Sequence, residues 1–153
     1  MTTREPPPQL WHLSFDQTLE SIWRPRKRAI GEPAHISVCP SIEQCVQSLY
    51  PGLGRFFKHD PKLAYLILHV YRPLDASKVK MLSSDILTDR IYVANAHVTG
   101  ERWILDPVKM VHAGRVKVHR PKSFEQGSLY NAPGRGIFTY PTDIDVEWVD
   151  EGA

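Results

Sequence analysis

The sequence predicts an α+β domain, with two early helices packed on mixed or antiparallel sheets. Up to about residue 50, apolar strand-like runs alternate with capped helical patterns. After that, strand-like runs dominate, punctuated by Gly and Pro. The chain has 153 residues and is 42% hydrophobic, which suits one domain with one sizeable core. Residues 1–8 are polar and proline-rich and read as a flexible N-terminus, followed by a single domain over 9–150.

Gln9 to Leu13 is a candidate first strand. Ser14, with Gln17 three residues on, has the spacing of a capping box. It predicts a helix running to about Trp23, which Pro25 ends. The loop from Pro25 to Pro33 is basic. Ala34 to Cys39 alternates and reads as a second strand. Ser41 and Gln44 repeat the capping spacing, and Ile42, Cys45, Val46 and Leu49 then share one helical face. Pro51-Gly52 stops that helix.

Leu63 to Tyr71 is rich in Leu, Ile, Tyr and Val without helical period, and reads as a central strand apolar on both faces. Ser84 to Leu87 predicts one helical turn, and Ile91 to Ala94 a short strand. Trp103–Leu105, Lys109–His112 and Arg115–His119 are spaced like a meander with a tight turn at Ala113-Gly114. Ser123 to Pro141 reads as a long surface loop, and Ile144 to Val149 as a last edge strand.

Composition excludes several classes. No run of about 18 apolar residues exists to span a membrane, and the N-terminus lacks the pattern of a signal peptide. A cytoplasmic protein is expected. A net charge of +2 excludes a globally basic nucleic-acid binder. The charge is uneven, however. Arg24, Arg26, Lys27 and Arg28 cluster, Arg115, Lys117, Arg120 and Lys122 follow later, and the end of the chain is acidic. That asymmetry suits a polyanionic ligand or partner. Cys39 and Cys45 read as small buried hydrophobes, and no Cys/His set has zinc-ligand spacing, so no metal is expected. Phosphate-cradling, dinucleotide-binding and nucleophile-elbow motifs are absent.

Three segments carry chemistry. Leu10-Trp11-His12-Leu13-Ser14 places a histidine inside an apolar strand. Ala34-His35-Ile36-Ser37-Val38-Cys39 leads a small polar residue into a helix. Thr99-Gly100-Glu101-Arg102-Trp103-Ile104-Leu105-Asp106-Pro107 puts a glutamate at the mouth of a strand. In this order the segments resemble the histidine-bearing branch of the ADP-ribosyltransferases. Small stand-alone proteins of this kind resemble those encoded by phages and other mobile elements.

The resemblance implies a fold that holds NAD as substrate. His12 would bond the nicotinamide-side ribose, and Ser37 would line the second strand. Glu101 would hold a ribose hydroxyl and stabilise the positive charge that develops as the glycosidic bond breaks. Arg24, Arg26 or Arg28 would meet the pyrophosphate. Tyr65, Tyr71, Tyr92 and Trp103 are the candidates for an aromatic platform. His12 and Glu101 would have to converge from neighbouring strands. Thr99 stands where arginine-modifying members carry a second acid, so arginine is not the implied acceptor. The acceptor would be a protein or a nucleic acid.

Two other readings stand beside this one. A non-enzymatic inhibitor or adaptor would use the basic loop and the 109–122 strands to bind a host protein or nucleic acid. The apolar-aromatic-His opening also resembles RNA 2'-phosphotransferases, with His35 or His97 as a second histidine.

Overall fold

The computed structural model describes residues 9–49, 52–90, 92–93, 96–121, 128–132, 136–140 and 143–151. It is α+β, with antiparallel sheets. Strand β1 (His12–Ser14) pairs with β4 (Tyr65–Pro73), β4 with β7 (Val108–His119), and β7 with β10 (Val146–Glu151). The short β2 (Ile22–Trp23) joins the start of β7. A second sheet has the order β3 (Ile36–Val38), β6 (Arg102–Ile104), β5 (Met81–Leu82). A separate hairpin joins β8 (Ser128–Ala132) to β9 (Gly136–Tyr140).

Two helices follow β3. In α1 (Ile42–Leu49), Ser41 Oγ accepts from the Gln44 N–H at 3.1 Å, as the capping spacing predicts. Next comes α2 (Gly52–His59), whose Leu53 and Phe57 are buried. It lies where Pro51-Gly52 reads as a stop; Gly52 and Gly54 mask the i, i+4 pair beneath. Farther on, α3 (Ser84–Asp89) is capped by Ser83, and α4 (Ala96–Thr99) leads into Gly100. Gly100 holds φ +70°, and a Cβ there would sit 2.9 Å from Pro40. Only glycine takes that turn against that neighbour without strain.

The first sheet buries opposite faces at its two ends. Leu13, Leu68, Val70, Val116 and Val118 pack under Cys45, Val46 and Leu53 of the helices. Leu10, Tyr71, Val108 and Met110 meet Ile36, Val38 and Ile104 of the second sheet. A bulge makes the exchange possible. Val70 stands opposite Gly114 but Tyr71 opposite His112, so Ala113 is the extra residue.

Several expectations need correction. No helix follows Ser14. Its Oγ accepts from the Asp16 N–H at 3.2 Å, and Thr18 Oγ1 accepts from Glu20 N–H at 3.2 Å. These local turns satisfy the amides that a helix would use. The segment ends in strand β2 instead. Strand β4 is central, between β1 and β7, and buries both faces but at different ends: Leu68 and Val70 on one, Tyr71 and Pro73 on the other, with Ile67 and His69 only partly buried. Of the expected meander, the last two runs are one continuous β7, because Gly114 (φ +130°) belongs to the bulge and not to a turn, and the first is β6 of the other sheet. The long loop expected over 123–141 contains the β8–β9 hairpin. Of the strand expected over 91–94, Ile91 and Ala94 lie outside the described residues. The Tyr92 and Val93 amides donate to Leu87 O and close α3.

Candidate functional site

The site begins where the two sheets part. Trp11 and Cys39 exchange both backbone hydrogen bonds, at 2.8 and 2.9 Å. Beyond that bridge β1 turns to β4, and β3 turns to β6. The His12 ring spans the resulting seam, and its Nδ1–H donates to Ser37 O at 2.8 Å. This bond fixes the neutral tautomer, leaving Nε2 as the acceptor. Burial pushes the His12 basicity down; the Ser37 carbonyl opposes this, and the Arg28 guanidinium adds to it.

Glu101 lies across β3 from His12. Ser37 Oγ donates to Glu101 Oε2 at 3.4 Å, Trp103 Nε1 to Oε2 at 2.8 Å, and Ser48 Oγ to Oε1 at 2.6 Å. The residue is 7% exposed. Three sequence-distant segments therefore meet at Ser37, whose carbonyl serves His12 and whose hydroxyl serves Glu101.

The two side chains do not converge on one face, which corrects the sequence expectation. His12 stands opposite Tyr71, which packs in the layer that Ile36 and Val38 also bury. Side chains alternate along a strand, so Ser37, between those two, points the other way. Glu101 shares the Ser37 side, beneath Ser48 of α1. The sequence shows both residues on strands but not which way β1 leaves β3.

The aromatic candidates separate on burial. Tyr71 is beside His12 but 2% exposed, so it offers no open ring. Its ring supports Trp23 (4.8 Å between centroids), and its hydroxyl accepts from the Thr18 N–H at 2.8 Å. Trp103 has both faces covered, by His35 at 3.5 Å and by Tyr92 at 5.4 Å. Tyr65 lies at the far end of β4 under Lys117. Trp23, absent from the sequence-based set, meets His12 edge-on at 4.9 Å and is partly exposed. The mistaken helix hid it.

Arg24, Arg26 and Arg28 are exposed. Arg26 and His35 exchange backbone hydrogen bonds at 3.1 and 3.0 Å, which anchors the loop beside β3. The other basic segment is already engaged. Arg115 bonds Asp150 at 2.7 Å, Lys117 and His119 meet Glu147, and Arg120 donates to Leu63 O and Phe57 O. Lys122 lies outside the described residues. His35 is buried against Trp103 and not beside His12, and His97 belongs to α4.

Cys39 and Cys45 are free and buried. The Cys39 thiol is pushed up by its hydrogen bond with Cys45 and by burial, so it is a poor nucleophile. Elsewhere, an open apolar groove of about 750 Å³ lies between α2 and the chain after β1, lined by Phe15, Leu49, Leu53, Phe56 and Leu63. Among the described residues, no helix is long and apolar enough to cross a membrane, and no three His, Cys, Asp or Glu side chains gather to hold a metal. No family model matches the chain, and no curated protein or solved structure matches it either.

Proposed function

We propose that the chain binds NAD or a related nucleotide at the seam between β1 and β3, as an ADP-ribosyltransferase-like protein acting on a macromolecular acceptor. The supporting observation is the hydrogen-bonded run from His12 through Ser37 to Glu101. Ser37 links them, its carbonyl accepting from His12 and its hydroxyl donating to Glu101. His12 Nε2 accepts from a ribose hydroxyl while Nδ1 stays on Ser37. Arg28, with Arg24 and Arg26, meets the phosphates as a bidentate donor. Trp23 supplies the aromatic surface. For transfer, Glu101 must reach the same sugar around β3 and be freed of a donor such as Ser48; it then stabilises the sugar's developing positive charge.

One observation favours a second reading, nucleotide binding without turnover. Both oxygens of Glu101 already have donors, and β3 stands between it and His12. The test is calorimetric titration with NAD, with nicotinamide release followed in parallel. Saturable binding is expected, weakened about tenfold or more in His12→Ala. Loss of nicotinamide release in Glu101→Gln, with binding kept, supports the transferase. Binding with no release in the wild type supports the second reading. No heat up to millimolar NAD overturns both.

A further inference from the structure

We propose a second site, independent of the seam: a two-histidine site for a divalent transition metal, zinc being the type case, formed by His69 of β4 and His112 of β7. The two rings meet nitrogen to nitrogen, with His69 Nδ1 3.0 Å from His112 Nε2. Both residues are partly exposed. They lie where the first sheet emerges from beneath the second, with Tyr71 buried beside them and its ring 5.1 Å from that of His112.

The backbone aims this pair. In a regular antiparallel ladder His69 faces Arg115, and Tyr71 would face Ala113. His112 would then project from the opposite side of the sheet, where the helices pack. The bulge at Ala113 puts His112 opposite Tyr71 and so turns its ring onto the His69 side.

The spacing fits a metal. Two imidazole nitrogens on one tetrahedral zinc stand about 3.3 Å apart, given bonds of about 2.0–2.1 Å. The observed 3.0 Å must open by a few tenths of an ångström, and both rings must swing, because their 5.2 Å centroid separation leaves the two nitrogens aimed nearly at each other. In the free protein one nitrogen donates a proton to the other. Metal takes its place when that ring moves its proton to its other nitrogen, so no net proton is released. Neutral imidazole is the ligating form, and zinc, copper and nickel are the ions it suits.

The charges of Asp150 and Asp16 favour a cation at His69. Arg115 acts on His69 in the opposite sense, but its guanidinium is bonded to Asp150 at 2.7 Å. No third His, Cys, Asp or Glu among the described residues is already in ligand position. The site therefore keeps open coordination positions, as a catalytic or exchangeable metal does and a closed structural one does not.

The test uses untagged full-length chain, freed of metal and titrated with zinc chloride by calorimetry. One zinc per chain is expected, with affinity reduced about tenfold or more in His69→Ala and in His112→Ala. His119→Ala, on the same strand but paired to Glu147, should bind as the wild type does. Absence of zinc binding, or unchanged binding in both variants, overturns the proposal. A wild-type measurement covers the case in which an alanine variant does not fold. One equivalent of copper(II) should show two coordinated imidazole nitrogens by electron paramagnetic resonance; a spectrum with none or one overturns it.

Discussion

Glu101 concentrates what the fold asks of a single side chain. It takes three hydrogen bonds from Ser37, Ser48 and Trp103 while nearly all its surface is buried. Removing the carboxylate strands the buried Trp103 Nε1–H, at a cost on the order of 1–3 kcal/mol, and two half-buried serine hydroxyls at a smaller cost. Glu101→Ala is therefore expected to destabilise the chain by about 3 kcal/mol or more, read from urea unfolding. Glu101→Gln is expected to cost less. Its remaining oxygen can accept from Trp103 Nε1, and the serine hydroxyls can rotate to accept from the amide. An equal loss in the two variants would mean that the negative charge itself holds the site. The sequence draws attention to Glu101 only through the resemblance of the 99–107 segment to a catalytic strand. Two of its partners are not legible, since Ser37 and Ser48 are 64 and 53 residues away and reach it only through the fold.

At the scale of elements, sequence patterns succeeded where one local signal decided the structure and failed where two competed. The α1 helix follows from Ser41, Gln44 and an unbroken apolar face. The equally well-spaced Ser14 and Gln17 give no helix, because Ser14 and Thr18 close their own short turns. The reverse holds for α2, where glycines hide a helix that the core requires. Phe57 and Leu53 of that helix are almost wholly buried, and Arg120 lies over the Phe57 ring at 5.0 Å. Phe57→Ala is expected to cost about 3–5 kcal/mol, measured by thermal or urea melting. A loss under about 1 kcal/mol would show that α2 is an ornament on the sheet and not part of its core. The β8–β9 hairpin escaped notice for a different reason. Pro133-Gly134 between two short alternating runs is a turn signal, but the surrounding Gly, Pro and polar residues give the whole stretch the composition of a loop.

At the scale of the molecule, two histidines shape the response to acid between pH 7 and pH 5. Burial lowers the basicity of His12, and burial with the neighbouring His112 lowers that of His69. Between the ordinary value near 6.5 and these lower folded values, the unfolded chain holds protons that the folded chain does not. Stability therefore rises with pH in that window. It is fully present above about pH 6.5 and is lost as pH falls through the folded values. Urea midpoints are expected to fall from pH 7 towards pH 5, with a shallower slope in His12→Gln. His69 is open to solvent and contributes the smaller share. An unchanged slope in His12→Gln would move the acid sensitivity away from the seam.

The extra residue at Ala113 reaches further than the geometry of one bulge. A strand is a two-state code: each side chain faces one layer or the other, and counting by twos decides which. Ala113 shifts that count halfway along β7, so one strand feeds the helical core with Val116 and Val118 and the inter-sheet core with Val108 and Met110. The two cores thus share a single wall and cannot come apart separately without tearing it. Any insertion or deletion between 109 and 113 rewrites the code for everything on one side of it, so this short stretch tolerates substitution far better than a change of length.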